Sequence, residues 1–413
     1  MEVKIHRLGR VEGDGGIEIV IGPAGIEESR VYVYEAKRYI EKALRGRHYS
    51  EVPDITSRVC GLCPTSYSVV SSTAIEKCLG CEPPEHVVRL RRAAQLCEWV
   101  NSHAVHVALL HAPDLIRFGK RDPEWAKIEL AKAAYTIRKW SKTMSKALVG
   151  RAIHPVNIKV GGLWSSPKVG LVKTLLRSFN DVLATASRLL EMVLELERPD
   201  WPPLREGGSV LEDSYPLLSQ EVVLMDYSGD ALSLYSVLEM EKPPYSNAPR
   251  LRYGGRAFSL GPIPRYVRFG HRLRPEAKDQ LKQAGFTPRS MADSIVIRAA
   301  EIVHALLEIK DTVEQIEKYR IWNTECPKAP GEKKVCFAAI EAPRGILYHR
   351  YVIGTDGRVI EAELLPPTVA NLAAAEEDMK YIPSELLKSR ETAEWASALV
   401  VRNYDPCISC ATR

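Results

Sequence analysis

Two C-x-x-C pairs at opposite ends of the chain constrain its fold more than any other feature of the sequence. Cys60-Gly61-Leu62-Cys63 lies near the start, and Cys407-Ile408-Ser409-Cys410 lies about 350 residues later. The two pairs can act together only if the fold brings them together. Four converging thiolates would form a soft ligand set, which suits zinc, an iron-sulfur cluster or a softer mixed-metal centre.

A further pair, Cys78-Leu79-Gly80-Cys81, offers a different partner for Cys60 and Cys63, with a spacing close to that of a structural zinc ribbon. Residues 68–77 contain neither Gly nor Pro and are typical of a helix. A helix of ~14 residues would hold the two pairs ~20 Å apart. We therefore expect Cys78 and Cys81 to pack at a helix end or to form a disulfide. The other cysteines are single, and we expect buried apolar thiols at Cys97, Cys326 and Cys336.

The composition excludes several classes of protein. A chain of 413 residues, of which 45% are hydrophobic, can bury a large core. Its 57 basic and 52 acidic residues leave a charge of +5, which is too weak to indicate a nucleic-acid partner. The first residues lack the apolar core of a signal peptide, and no stretch approaches the ~18 to 20 apolar residues of a membrane span. We therefore expect a soluble chain whose cysteines serve mainly as metal or catalytic ligands.

The hydrophobic pattern changes along the chain. The first 35 residues alternate as strands do, whereas Val87, Leu90, Ala94 and later apolar residues recur at helical spacing. These patterns predict a mainly α (α+β) fold, in which a large central helical bundle carries small peripheral antiparallel sheets. The predicted parts of this single domain, residues 1–413, are an N-terminal sheet at 1–35, a helical bundle at about 85–200 and 290–402, an irregular wrap at 200–288 and a second sheet at 335–365.

The two outer cysteine pairs belong to longer signatures. The segments 58–64 and 405–410 resemble the two cysteine motifs of the large subunit of nickel-iron hydrogenases. Other segments resemble the remaining motifs of that family, in the same order: Arg10-Val11-Glu12-Gly13, Ser102-His103-x-x-His106 running to Pro113-Asp114, Leu260 to Arg265, Glu341-Ala342-Pro343-Arg344-Gly345 and Pro367 to Asn371. Seven ordered motifs over the whole chain exclude coincidence.

This resemblance implies the family's large-subunit fold, with nickel held by all four outer thiolates. Cys60 and Cys407 would be terminal ligands, and Cys63 and Cys410 would bridge to an iron that carries CO and cyanide. Cys407 would accept the proton released when hydrogen is split, and Glu12 would pass it outward. The implied activity is the interconversion of hydrogen with protons and electrons.

The resemblance also implies roles for residues around the metals. Arg344 would lie over the open metal site and donate to a cyanide, with Asp114 and Asp405 as its paired carboxylates. Pro343 lies in the same motif and would contact the cofactor. Thr368 would offer its hydroxyl to the second cyanide.

Two departures from the family pattern bear on a magnesium site and on proton transfer. Glu41 falls where the family places a magnesium ligand, but Arg413 stands where a second ligand, His, is common, and a guanidinium does not bind metals. The ion would therefore be bound differently, replaced or absent. Tyr67 stands where His is usual, and a phenol with a pKa of ~10 is a poor proton relay at neutral pH. His103 and His106 are expected to be core residues.

The chain has no additional cysteine cluster that could carry electrons away. The resemblance therefore implies a small subunit with iron-sulfur clusters, and further electron-transfer subunits. The chain is most similar to the cytoplasmic branch, which includes sulfhydrogenase-type and coenzyme F420-linked or non-F420 enzymes. Two alternatives are a non-catalytic relative, like the quinone-site subunit of respiratory complex I, and a structural protein stabilised by zinc on Cys60, Cys63, Cys78 and Cys81. The first has lost the nickel cysteines, which are all present here.

Overall fold

The computed structural model describes the chain except for residues 120–122 and 413. The structure is 50% helical and 20% strand, which confirms the prediction of a mainly α fold with small sheets. The α-helices are α1 Ile40–Leu44, α2 Val52–Ser57, α3 Pro64–Leu79, α4 Glu85–Val105, α5 Ala112–Phe118, α6 Pro123–Val149, α7 Val169–Arg177, α8 Phe179–Leu194, α9 Ala231–Val237, α10 Pro262–Phe269, α11 Pro275–Gln283, α12 Ser294–Val313, α13 Thr368–Asp378, α14 Arg390–Asn403 and α15 Ile408–Ala411. The strands are β1 Glu2–Ile5, β2 Gly15–Gly22, β3 Gly25–Val33, β4 Ile158–Lys159, β5 Gly162–Leu163, β6 Gly207–Val210, β7 Leu218–Ser219, β8 Glu221–Leu224, β9 Tyr227–Asp230, β10 Leu238–Glu241, β11 Arg250–Tyr253, β12 Ser259–Leu260, β13 Lys334–Ala342, β14 Gly345–Ile353 and β15 Val359–Leu365.

The centre of the molecule is a group of long helices. Helix α4 packs against α6 and α12, and α8 packs against α6 and α12 in turn. Nearly all residues of α12 are buried, because this helix is apolar on every side and is enclosed by its neighbours. None of the described helices is both long and apolar enough to cross a membrane.

Antiparallel sheets flank the helices. Strands β1, β2 and β3 form one sheet in sequence order, with Val3 opposite Ile19. A second sheet has the order β15-β14-β13-β7, and its inner strands are largely buried. The turn between β14 and β15 contains Gly357 at φ 75°, a left-handed conformation that glycine adopts without strain. The second sheet positions the segment that contains Arg344, because this residue lies in the turn between β13 and β14.

Residues 200–288 are more regular than their Pro and Gly content predicts. They form part of a four-stranded sheet of order β12-β6-β8-β9, a two-stranded ribbon of β10 and β11, and helices α9 to α11. Each element is short, and β6 pairs in parallel with β12 some fifty residues later in the chain. A pairing between such distant short segments leaves no periodic signal in the sequence.

Four of the cysteines form disulfide bonds. Cys78 is bonded to Cys336, and Cys81 is bonded to Cys326. The disulfide alternative for Cys78 and Cys81 is therefore confirmed, whereas the prediction of single thiols at Cys326 and Cys336 is wrong. The sequence gives no sign of these partners because they lie 258 and 245 residues away. The zinc-ribbon alternative is also wrong, since α3 separates Cys63 from Cys78 and both cysteines of the second pair are already bonded.

Candidate metal centre

Local structure brings each outer cysteine pair to the same point. Cys60 follows α2, and Cys63 is the N-cap residue of α3. At the other end of the chain, Cys407 forms a parallel bridge with Glu12, and the Ile408 N–H donates to the Glu12 carbonyl oxygen at 3.0 Å. The N-terminal segment thus holds the C-terminal turn against the turn between α2 and α3.

The four sulfur atoms form one buried cluster. The Sγ atoms of Cys60 and Cys407 lie 3.3 Å apart, and those of Cys63 and Cys410 lie 3.6 Å apart. The Sγ atoms of Cys407 and Cys410 are separated by 2.7 Å. All four lie within 4.8 Å of one another, and none is in a disulfide bond. Within the part of the chain that the structure describes, this is the cluster of His, Cys, Asp or Glu side chains suited to a metal ion.

This donor set fits a soft transition metal. The backbone N–H groups of Leu62 and Cys63 point at Cys60 Sγ, at 3.2 Å and 3.3 Å, and such hydrogen bonds favour the thiolate. Several thiolates at these distances in a buried site repel one another unless a cation lies among them. Sulfur donors prefer soft transition metals to magnesium or calcium. The residues present therefore fit a metal centre of the predicted kind.

Arg344 lies beside the sulfur cluster, and its buried guanidinium is fixed by Asp405 and Ser102. Arg344 Nε donates to the Asp405 carbonyl oxygen at 2.6 Å, and Nη2 donates to Asp405 Oδ1 at 3.0 Å. Nη1 donates to Ser102 Oγ at 3.2 Å. Burial alone would lower the pKa of Arg344, but the charges of Asp405 and of Cys407 outweigh it and raise the pKa well above its ordinary value. The guanidinium is therefore a permanent positive charge next to the thiolates.

A close approach of two glycine-containing turns positions Arg344. Gly345 has φ 121°, and a Cβ at this position would lie 2.5 Å from Leu260 Cβ and 2.6 Å from the Gly261 nitrogen. Gly261 has φ 110°, and a Cβ there would lie 2.9 Å from the Arg344 carbonyl oxygen. The two predicted motifs that contain these glycines therefore pack back to back, and neither tolerates a side chain at the contact.

Asp114 does not pair with Arg344, contrary to the predicted canopy. Asp114 Oδ2 accepts from Arg402 Nη1 at 2.8 Å, and Oδ1 accepts from Arg10 Nη2 at 2.5 Å. Asp114 follows the π-helical turn His106–His111, which directs it toward α14, where Arg402 lies. The sequence prediction failed because several arginines compete for this buried carboxylate. Asp114 instead anchors the Arg10 segment, which also carries Glu12.

Glu12 lies between the cysteines and solvent. Its carboxylate accepts from the Ser409 hydroxyl at 2.5 Å and from the Ser409 N–H at 3.1 Å. Burial raises the pKa of Glu12, and the charge of Cys60 raises it further, whereas hydrogen bonds from Ser409 and Cys407 act in the opposite direction. The net effect is an upward shift, which brings this carboxyl closer to neutrality and suits it to take up and release a proton.

A small cavity lies against the sulfur atoms and contains two of the predicted cofactor-binding residues. Thr368 and Pro343 line it together with Arg344, Tyr67 and three of the four cysteines. The Thr368 hydroxyl oxygen accepts a hydrogen bond from the Cys407 N–H at 3.2 Å. The Tyr67 hydroxyl has no hydrogen-bond partner among the described residues. Burial and the nearby thiols raise the pKa of Tyr67 well above its ordinary value, so it stays protonated.

Glu41 lies apart from the cysteine cluster, near the C-terminal residues. Its Oε1 atom accepts from the Leu364 N–H at 2.9 Å, and it lines a groove together with Glu363, Ala411 and Thr412. The predicted substitution of a metal ligand by Arg413 lies outside the described residues. His103 and His106 hold no second metal cluster, since His103 Nε2 lies 2.9 Å from a Glu301 oxygen and His106 Nε2 lies 2.8 Å from the Arg402 carbonyl oxygen.

Glu98 supports the first cysteine pair, and sequence reasoning missed it. This fully buried carboxylate lies on α4 and caps the N-terminus of α3, where it accepts from the Thr65 N–H at 2.6 Å and from the Ser66 hydroxyl at 2.5 Å. A Glu in the middle of a helical pattern gives no sequence signal for this contact. Burial raises the pKa of Glu98 to about 8, although the bonds from Ser66 and Thr65 oppose the shift.

The raised pKa of Glu98 predicts a pH-dependent stability. The unfolded chain binds this proton with the ordinary pKa of 4.5, and the folded chain binds it with a pKa of about 8. Folding therefore takes up a proton between these values, so stability falls as pH rises, by up to about 1.4 kcal/mol per pH unit. The Glu98→Gln variant, whose amide oxygen can still accept from Thr65, is expected to flatten this dependence. Thermal unfolding of both proteins between pH 5 and 8.5 checks it, and parallel curves would contradict it.

The chain resembles known proteins along its entire length. The family model described as nickel-dependent hydrogenase matches residues 38–177 and 215–413. The alpha subunit of sulfhydrogenase 2 from Pyrococcus furiosus is 31% identical, over all of this chain and 98% of the relative. The alpha subunit of sulfhydrogenase 1 from the same organism is 28% identical over all of this chain and 97% of the relative. A subunit of the vhc F420-non-reducing hydrogenase from Methanococcus voltae is 26% identical over all of this chain and 94% of the relative.

A solved structure shows the same fold. The NAD+-reducing [NiFe]-hydrogenase in its H2-reduced state superposes with a TM-score of 0.87 at 22% identity, covering 100% of this chain and 99% of that chain. The expected fold and the expected relatives are thus confirmed. Together with the match to the family model over most of the sequence, these similarities show that the chain belongs to the nickel-dependent hydrogenase family, as a large subunit.

Proposed function

We propose that this hydrogenase large subunit holds nickel through Cys60, Cys63, Cys407 and Cys410, and iron through Cys63 and Cys410. The observation that carries the proposal is the gathering of four free sulfur atoms, from both ends of the chain, within 4.8 Å of one another. In this proposal the iron carries CO and cyanide. When bound, the two metals take up hydrogen and polarise its bond, so that it splits into two electrons and two protons in total.

The chain's own residues take charge of the proton. Cys407 is the proposed first acceptor, since its side chain is hydrogen-bonded to Glu12. Glu12 then holds the proton on a carboxylate with a raised pKa. The backbone bridge between Glu12 and Cys407 fixes the two groups relative to each other, so proton transfer needs no large motion.

Arg344, Thr368 and Pro343 supply the other proposed contacts to the cofactor. They share one cavity with the cysteines, and water is largely kept out because these residues are buried. A fixed guanidinium in a dry site stabilises negative charge more strongly than one in water. Asp405 holds the guanidinium in one orientation, which we propose to be its role in place of direct contact with substrate.

The electrons must leave through a partner. Apart from the metal-centre cysteines, the structure shows two disulfides and the single buried thiol of Cys97. The relatives are themselves named as single subunits of hydrogenases, which implies assembly with other chains. We therefore propose an iron-sulfur small subunit, and further electron-transfer subunits beyond it.

Two finer points complete the proposal. Glu41 is a candidate magnesium ligand near the C-terminal residues, where Glu363 provides a second carboxylate in the same groove. The enzyme is proposed to work in the cytoplasm, as the similarity to the cytoplasmic branch implied. The non-catalytic alternative is disfavoured because all four sulfur atoms are present and face one another.

The Glu12→Gln variant tests the proton route in the assembled enzyme. An amide at this position keeps the contact with the Ser409 hydroxyl but cannot carry the proton. We expect normal metal content, together with exchange of hydrogen with deuterated water that is slower by about 10²-fold or more. Exchange at the rate of the unmodified enzyme would exclude the relay role.

A further inference from the structure

Beyond Glu12, the structure contains a second carboxylate on the same hydroxyl group. The Ser409 hydroxyl lies 2.5 Å from Glu12 Oε1 and 3.2 Å from Glu35 Oε1. Glu35 comes from the segment after β3, and Ser409 from the C-terminal turn, so three separate parts of the chain meet at this point. In the sequence, Ser409 is only a spacer between two cysteines.

We propose that Ser409 and Glu35 form the outer part of the proton route, which leads from Glu12 to the surface of this subunit. The proposal rests on the proposed function, because it requires Glu12 to receive the proton. Glu35 is a relay residue and not a catalytic one, since it is hydrogen-bonded to Ser409 and to the backbone of Asp14.

The hydrogen-bonding rules of the three groups support a relay. A serine hydroxyl has one hydrogen to donate and can accept others, whereas an ionised carboxylate can only accept. Both contacts of Ser409 are therefore hydrogen bonds only when one of the two carboxyl groups carries a proton. In the transfer step, the O–H bond of Glu12 breaks while Ser409 gains that proton, and the original O–H bond of Ser409 breaks while Glu35 gains its proton. Charge and atoms balance without any other reactant.

The exposure of the residues gives the route a direction. Cys407 is fully buried, Glu12, Ser409 and Glu35 are each partly buried, and Asp14 beside Glu35 is exposed. The backbone N–H of Asp14 donates to Glu35 Oε1 at 3.2 Å and fixes the carboxylate at the edge of the site. A proton that reaches Glu35 is therefore next to solvent.

The close fit around Gly13 shows that the geometry is built. Gly13 has φ 92°, and a Cβ at this position would lie 2.8 Å from Glu35 Oε1 and 2.6 Å from Ile408 Cβ. Only a residue without a side chain lets the Glu12 segment pass between Glu35 and the C-terminal turn. The main chain of Ser409 is held as well, because its carbonyl oxygen accepts from Arg38 and from the Thr412 hydroxyl.

The test uses the assembled enzyme and expresses every rate per bound nickel, so that incomplete loading cannot imitate a slow proton step. Glu35→Gln is expected to slow exchange of hydrogen with deuterated water by roughly tenfold or more, and to increase the solvent isotope effect. Infrared bands of the metal site should not change. Ser409→Ala should have the same effect, and Ser409→Thr, which restores a hydroxyl, should recover most of the rate.

Asp14→Asn is the matched control, because it removes a neighbouring exposed carboxylate that does not contact Ser409. It should leave the exchange rate within about twofold of the unmodified enzyme. Equal slowing in Asp14→Asn and Glu35→Gln would overturn the proposal in favour of a general charge effect. Unchanged exchange in Glu35→Gln, combined with slow exchange in Glu12→Gln, would overturn the outer route but leave the proposed function intact. Unchanged exchange in both would remove the Glu12 relay itself.

Discussion

Replacement of Cys410 by serine is expected to abolish hydrogen uptake and to leave the iron site unassembled. Cys410 Sγ lies between Cys407 Sγ at 2.7 Å and Cys63 Sγ at 3.6 Å, at the side of the cluster where a bridging ligand is proposed. A serine hydroxyl is a hard donor with a high pKa, and it does not replace a bridging thiolate. Measurements of nickel and iron per chain, together with hydrogen uptake, check this prediction.

The matched control for this experiment is Cys97→Ser. Cys97 is equally buried and has a free thiol, but it lies on α4 and is not part of the sulfur cluster. This variant should keep its nickel, its iron and most of its activity. Full hydrogen uptake in the Cys410→Ser enzyme would disprove the ligand assignment.

Replacement of Arg344 by lysine is expected to lower turnover by about 10²-fold while nickel and iron stay bound. The guanidinium binds Asp405 at two atoms and Ser102 at a third, which a single ammonium group cannot reproduce. The charge would remain, but its position relative to the cavity would not be fixed. Turnover per bound nickel, measured in the assembled enzyme, checks the prediction.

Arg250→Lys provides the comparison for Arg344→Lys. Arg250 is also buried, and its Nη2 atom donates to Glu376 Oε1 at 2.8 Å, but it does not line the cavity beside the cysteines. Its replacement should lower thermal stability and leave turnover per nickel nearly unchanged. Equal losses of turnover in the two variants would show that Arg344 acts only through packing.

The sequence predicted the metal centre well because each half of the ligand set is a short local motif. Cys60 and Cys63 are three residues apart, as are Cys407 and Cys410, and the resemblance of their flanking residues supplied the pairing between the two ends. Arg344 and Asp405 followed in the same way, and the structure places both beside the cysteines. The helical core was predictable because its hydrophobic period is regular over long segments.

The contacts that sequence reasoning missed join residues without a shared motif. Asp114 was assigned to Arg344, but its partners Arg402 and Arg10 become apparent only when α5, α14 and the N-terminal segment are packed together. The disulfide partners of Cys78 and Cys81 lie some 250 residues away in a region with no cysteine motif. The contact between Ser409 and Glu35 spans 374 residues. Such pairings depend on the whole fold, and neither spacing nor periodicity encodes them.

The most direct test of a nickel site built from both ends of the chain is X-ray absorption at the nickel edge, measured on the assembled enzyme. We predict one nickel per chain with four sulfur neighbours, accompanied by one iron outside the iron-sulfur clusters. The loss of a sulfur neighbour in Cys60→Ser, and separately in Cys407→Ser, would assign ligands to each end. Zinc in place of nickel, or nickel surrounded only by nitrogen and oxygen, would contradict the proposed centre.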